Sequence, residues 1–419
     1  MELVNSNLKK TELGLIPQDW SIYTVRDLIE LLTDYDANGS FSSVAENVKS
    51  YDYEEYAWYV RSTDLENNSS MNKVKYVDKS SYNFLKKTAL YGGELLFLKR
   101  GDIGNVYLFE MKTEKATVAP NLYLLKLNKI TDSKYLYYYF TSNIGQLQLK
   151  SKNASSTLGA LYKDDVKSIF VPLPPTLEEQ TAIANALSDA DNLIKGLEKV
   201  IAKKRNIKQG AMQKLLQPKE KWEVKSFKDL CWFQEGPGLR NWQFTKRGIK
   251  VINVTNLENG LLNLDRTDRH ISLDEFHKMY EHFEIDENDI VVASSGNSYG
   301  KVAVVRKQDL PLLMNTSVIR FKPLSNLDYN FLLIYLKSSQ FKNQIDLLIT
   351  GGAQPNFGPV HLNQITINMP PTKEEQTKIA SVLLDMDNEI LALETKLEKY
   401  KSIKQGMMQN LLTGKIRLV

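Results

Sequence analysis

The chain has 419 residues, 42% of them apolar and 25% charged, with a formal net charge of only +4. That length points to two or three domains, each able to bury a core, and the small net charge excludes a strongly basic tail, so any nucleic-acid surface has to be a local patch. Cys231 is the sole cysteine, which excludes an intrachain disulfide. Together with His270, His277, His282 and His361 it supplies no zinc-like spacing, and the absence of any run of about 18 apolar residues or of a charged-then-apolar leader leads to an expected cytoplasmic location.

The first segment opens with IPQDWSIYTVRDL and reaches YVRSTDL, where Arg61, Ser62 and Thr63 are polar candidates. GELLFLKRGDIGNVYLF follows. Its short runs over 94–98 and 106–109 are rich in β-branched and aromatic residues and bounded by Gly, Asp or Ser, so they read as strands. The loop between them offers Lys99, Arg100, Asp102 and Asn105; hairpin-turn chemistry and contact with a ligand both account for it, and both can hold at once. A short helix is predicted over 135–141. The stretch KNASSTLGALYK then reads as a junction loop carrying Lys152, Asn153 and Lys163.

Next comes PPTLEEQTAIANALSDADNLIKGLEKVIAKKRNIKQGAMQKLL, residues 174–216. Ile183, Leu187, Ala190, Ile194, Leu197 and Ile201 are spaced alternately four and three apart, the heptad seam of a coiled coil. Thr176 with Glu179 three residues on predicts a capping box. A helix over 176–216 would be roughly 60 Å long. The basic run at 203–205 reads as a solvated helix face.

The second segment starts with QPKEKWEVKSFKDL, so that Trp222 matches Trp20. EGPGLRNWQF supplies Arg240, Asn241 and Gln243, with Trp242 either entering a groove or buried as core. VINVTNL repeats the YVRSTDL pattern and places Thr255 and Asn256 at the matching site. NDIVVASSGNSYGKVAVV repeats the paired strands over 289–293 and 302–305, and its loop carries Ser294, Ser295, Asn297, Tyr299 and Lys301. A helix is predicted over 331–338, and TGGAQPNF forms the second junction loop with Gln354 and Asn356.

Residues 370–412 then repeat residues 174–216 without a gap at an offset of 196, with 25 of the 43 positions identical. The second seam runs through Ile379, Leu383, Met386, Ile390, Leu393, Leu397 and Tyr400. Gly210 and Gly406 recur within a shared IKQG, marking a break, a cap, or a close approach by another chain. The expected architecture is α+β: two mixed α/β globules at 1–173 and 218–369, and two long antiparallel coiled-coil helices at 174–217 and 370–419, an internal pseudo-twofold repeat.

No catalytic constellation emerges. GNSYGKV has too few residues between its glycines for a phosphate loop, and Val302 stands where a Ser or Thr would hold magnesium. No GxGxxG follows a strand, and no Asn-Pro-Pro or Asp-Pro-Pro motif precedes an aromatic residue.

The doubled Pro-Pro-x-x-Glu-Glu-Gln opening a long helix that ends in KQGxMQxLL resembles the specificity subunits of type I restriction–modification systems. GELLFLKRGDIGNV, NDIVVASSGNSYGKV, TGGAQPN and LLTGKIRL are similar to the same family. The resemblance implies a non-catalytic subunit whose two globules are target-recognition domains, each reading half of a bipartite double-stranded DNA sequence. It implies that the helices fix the spacer and dock two modification subunits, which carry S-adenosylmethionine, and that motor-nuclease restriction subunits can join. No cofactor is expected in this chain, and no membrane partner. The alternatives are a stand-alone methyltransferase or nuclease with an unrecognised site, and a coiled-coil protein scaffold.

Overall fold

A computed structural model describes residues 8–66, 70–153, 159–349 and 355–418. The chain divides into two compact units: unit 1 combines Met1–Glu198 with Lys396–Val419, and unit 2 is Lys199–Thr395.

In unit 1, strands β1 (Ile29–Asp34), β2 (Leu95–Leu98), β3 (Val106–Leu108) and β4 (Leu122–Leu127) form an antiparallel sheet in the order β3-β2-β4-β1. In unit 2, β5 (Cys231–Glu235), β6 (Ile290–Ala293), β7 (Val302–Val304) and β8 (Val318–Pro323) pair in the order β5-β8-β6-β7, the same order read from the other edge. The registers correspond too. Leu98 faces Leu122 and Asp34 faces Tyr123 in one sheet; Ala293 faces Val318 and Glu235 faces Ile319 in the other. A second sheet in each unit grows from a parallel pair, Ala57–Val60 with Ala116–Val118 and Ile249–Ile252 with Leu312–Met314. Every residue of β2 and β6 is buried, so these strands read as continuous apolar runs rather than an alternation. The short helices predicted over 135–141 and 331–338 are Ser133–Thr141 and Tyr329–Leu336, capped by the side chains of Asp132 and Asp328.

The long helices are α1 (Leu177–Leu215) and α2 (Lys373–Leu411), 39 residues each and so about 58 Å long. Thr176 and Thr372 accept hydrogen bonds from the amides of Glu179 and Glu375, which is half of the predicted capping box. The other half is replaced: the Glu179 carboxylate is held by Arg417, and that of Glu375 by Lys219 at 2.8 Å and Trp222 Nε1 at 3.2 Å. Gly210 and Gly406 neither break nor cap the helices; both lie inside, where an added Cβ would meet nothing.

The seam has two kinds of section. In unit 1, Ile183 and Leu187 join Leu411 and Leu412 in one core with Trp20, Phe97 and Tyr139. In unit 2, Ile379 and Leu383 join Leu216, Phe227, Phe321 and Phe331. Each globule therefore embeds the start of one long helix together with the end of the other. Further along, Ile194, Leu197, Ile201, Ile390 and Leu397 are buried, while Met386 and Leu393 are half-buried. Ion pairs flank them: Asp191 with Lys404 and Glu198 with Lys401 in unit 1, Lys204 with Glu389 and Lys208 with Asp387 in unit 2. Residue numbers rise along α1 as they fall along α2, so the segments run antiparallel within each unit. Glu198–Lys401 and Lys204–Glu389 are exposed and contribute at most about 1 kcal/mol each, whereas Asp191–Lys404 and Lys208–Asp387 are half-buried; the apolar seam supplies most of the cohesion. Two members of the basic run at 203–205 take part, since Arg205 also reaches Glu394.

Candidate nucleic-acid interface

In both units the hairpin loop and the junction loop are stitched together by backbone hydrogen bonds. In unit 1, Gly101 N donates to Gly159 O at 2.9 Å, Leu161 N donates to Lys99 O at 3.0 Å, and Arg100 bridges to Ala160. A Cβ on Gly159 would stand 2.4 Å from Gly101 O, so only glycine permits this approach. In unit 2, Gly296 N donates to Pro355 O at 3.2 Å, Phe357 N donates to Ser294 O at 3.0 Å, and Ser295 bridges to Asn356. Loops about 60 residues apart in sequence thus form one surface at the same corner of the same sheet, one short helix and one strand ahead of a long helix.

The foot of the unit 1 surface is an ion network. Asp34 is 4% exposed. Lys99 Nζ lies 2.8 Å from both Asp34 and Asp36, and Lys163 Nζ lies 2.8 Å from Asp34. Both amines stand over the Tyr123 ring, at 5.3 and 6.0 Å from its centre. Burial alone would raise the Asp34 carboxyl, but the hydrogen bonds and charges of Lys163 and Lys99 outweigh it and hold the group below the usual carboxylate value. Lys99 and Lys163, both candidates for DNA contact, are therefore paired with a buried acid at the foot of the loops. Arg100, Asp102 and Asn105 are exposed at the loop tip, and Lys152, at the start of the junction segment, is half-buried. Asn153 is exposed and its side-chain oxygen accepts from Ala160 N at 3.2 Å, which braces the junction.

Arg61 also turns inward: its guanidinium clasps Asp64 and donates to Lys73 O at 2.8 Å. Ser62 is half-buried and Thr63 exposed, in the short helix Ser62–Glu66.

In unit 2, Arg240, Asn241 and Trp242 are exposed, the indole by 80%, so Trp242 is not core. Gln243 is a correction: buried, it accepts from Arg240 N and donates to Glu275 and Tyr280 OH, bracing the loop from beneath. Asn256 is another correction, wholly buried and bonded to Asn253, Asn263 and Thr267. Ser294 is buried with its hydroxyl donating to Thr316 O. Tyr299 is half-buried and donates to Asp346 at 3.0 Å. Ser295 is half-buried, Thr255, Lys301 and Asn356 are exposed, and Asn297 belongs to the turn Gly296–Ser298. Gln354 lies outside the described residues.

Sequence reasoning missed Lys246, Arg247 and Arg269, all exposed. The bonds Thr245 N to His270 O and Val251 N to Arg269 O draw their segments together, and the Arg269 guanidinium sits 5.0 Å from the Phe244 ring. They form no consecutive basic run, so only the strand pairing reveals the patch.

The family described as Type I restriction modification DNA specificity domain matches residues 17–204 and again 219–405. The chain belongs to this family. As a type I specificity subunit it carries two target-recognition domains, and each family match takes in one globule and most of the helix that follows it. The chain is 28% identical to the type I restriction enzyme MjaVIII specificity subunit of Methanocaldococcus jannaschii, covering 98% of this chain and 96% of that one. It is 27% identical to the putative MjaX specificity subunit of the same organism, covering 98% and 97%. The crystal structure of a type I restriction–modification S subunit from M. genitalium shares the fold with a TM-score of 0.58 at 16% identity, over 97% of both chains.

Proposed function

We propose that each target-recognition domain reads one half of a bipartite double-stranded DNA target through its stitched pair of loops. The paired helices set the spacer between the half-sites, and their outer faces dock two modification subunits. Those subunits bind S-adenosylmethionine and carry out methyl transfer, while this chain, working in the cytoplasm, is non-catalytic and needs no cofactor of its own. Restriction subunits join the same assembly.

The observation that carries this reading is the repetition of one device, a hairpin loop sewn to a junction loop ahead of a 39-residue helix, on two sheets of identical strand order. Exposed Arg100, Arg240, Lys246, Arg247 and Arg269 suit phosphates, and exposed Asn105, Asn241 and Asn356 suit base edges. Helix length changes in steps of about 1.5 Å per residue, which makes such a rod a ruler. The open flanks of Gly210 and Gly406 leave room for a partner backbone. Methylation mapping with the modification subunit present should give a split site with an unread centre. A contiguous site, or no sequence preference, would overturn the reading.

A further inference from the structure

The matching registers allow the feet of the two stitched surfaces to be compared residue by residue. In unit 1, Asp34 ends β1 opposite Tyr123, and its carboxylate is neutralised by Lys99, which follows β2, and by Lys163, the first residue of the helix Lys163–Lys167. In unit 2 the acid at this place is Glu235, which ends β5 opposite Ile319. The residue following β6 is Ser294, buried and bonded to Thr316, and the residue 196 beyond Lys163 is Pro359, the first of the helix Pro359–Leu362. Both amines and the aromatic floor are gone, and the acid remains.

Glu235 stays at the meeting point of the loops. The amide of the next residue, Gly236, donates to Val318 O at 3.1 Å. A Cβ on Gly358 would stand 3.6 Å from Glu235 Oε2, and Gly358 follows Phe357, whose amide is sewn to Ser294. Among the described residues no hydrogen bond or ion pair holds this half-buried carboxylate, and burial alone acts on it, raising its pKa. An unpaired, partly desolvated acceptor is costly, and near a phosphate backbone its charge is repelled. A donor that arrives with the ligand relieves the first penalty, and a base edge in the groove, farther from the phosphates, limits the second.

We infer that Glu235 is a specificity-determining residue of the second target-recognition domain, accepting a hydrogen bond from the exocyclic amino group of a base in the major groove, cytosine N4 being the donor that suits a carboxylate. The inference rests on the proposal that the stitched loops face DNA. Asp34 has no such role, because two ammonium groups already occupy its oxygens.

The complex of this chain with its modification subunit, as wild type and with Glu235→Gln or Glu235→Asp, is incubated with a randomised DNA library, and the methylated molecules are sequenced. Glu235→Gln keeps the shape but adds a donor, so one position of one half-site should move toward adenine, and methylation of the original target should fall about tenfold or more. Glu235→Asp should keep the letter with weaker discrimination. In both variants the other half-site stays as it was. An unchanged consensus at wild-type efficiency for Glu235→Gln overturns the inference. So does an equal loss at every sequence, which is what a purely structural role would produce. A wild-type complex that selects one contiguous site, or none, overturns the loop reading itself and this inference with it.

Discussion

At the start of α1, Glu179 is 3% exposed and held by Arg417, which also reaches Asp19 at 3.0 Å and lies over the Trp20 ring. At the start of α2, Glu375 occupies the same repeat position, yet it is half-buried and held by Lys219, which lies over the Trp222 ring. Acid, cation and tryptophan recur, with the cation drawn from the C-terminal tail in one unit and from the inter-segment linker in the other. A similar contrast appears on the helix flanks. Asp191 accepts from Tyr138 OH as well as pairing with Lys404, whereas Asp387 pairs with Lys208 and its second oxygen is buried with no hydrogen-bond partner among the described residues. Duplication preserves the geometry of these contacts, while burial decides what each is worth.

The largest expected effect follows from breaking the common geometry. Inserting one heptad into both α1 and α2 should abolish methylation of the natural target and, where assembly survives, give a site with the same half-site letters and a longer spacer. Methylome sequencing distinguishes this from a change of letters, which would contradict the division of labour between globules and helices. Next in size is Arg417→Met. It strands the buried Glu179 carboxylate and should cost about 3–5 kcal/mol, read as a lower denaturant midpoint for unit 1. Lys219→Met, at the matching but more exposed site, should cost about 1 kcal/mol or less. Equal losses would mean that burial does not set the difference.

Much of this organisation is legible in the residues themselves. The heptad spacing marks the seam because Ile183, Leu187, Ile379 and Leu383 must all face inward, and the short apolar runs around GELLFL and NDIVVA mark the central strands because both of their faces are covered. Polar side chains are harder to read. Asn256 and Gln243 resemble groove contacts until Asn263 and Glu275 are seen beside them. Asp34 acts on lysines 65 and 129 residues away, and Arg417 on an acid 238 residues away. No local pattern encodes such pairings. They exist only once the sheets have closed, so a polar residue's assignment to a ligand or to the fold waits on its tertiary neighbours.

A smaller effect sharpens the contrast between the two feet. Asp34→Asn removes the charge that holds Lys163 and one of the two that hold Lys99, freeing the Lys163 ammonium at the base of the unit 1 loops while Lys99 keeps Asp36. DNA binding by the assembled complex should then depend more steeply on salt, by about one unit in the slope of log affinity against log salt. Letters read in the first half-site should blur, since the loops lose a common anchor. A slope equal to that of the wild type would mean that the Lys163 amine already faces a phosphate.

The smallest effect is one of pH, and its sign differs between the units. Asp34 is held below its ordinary value of 3.8 by Lys163 and Lys99 against the opposing effect of burial, so its stabilisation is present above 3.8 and is lost as pH falls through the lowered value. Glu235 is raised above its ordinary 4.5 by burial, so its charged form destabilises unit 2 at neutral pH; the relative stability is full below 4.5 and is lost as pH rises through the raised value. Glu235→Gln should accordingly stabilise unit 2 at pH 7 and have no effect well below pH 4.5, whereas Asp34→Asn should destabilise unit 1 at pH 7 and converge on the wild type only in stronger acid. Hydrogen exchange resolved by unit at several pH values separates the two. Parallel responses would show that Glu235, like Asp34, has a cation at its side, and would remove the reason to pair it with a base.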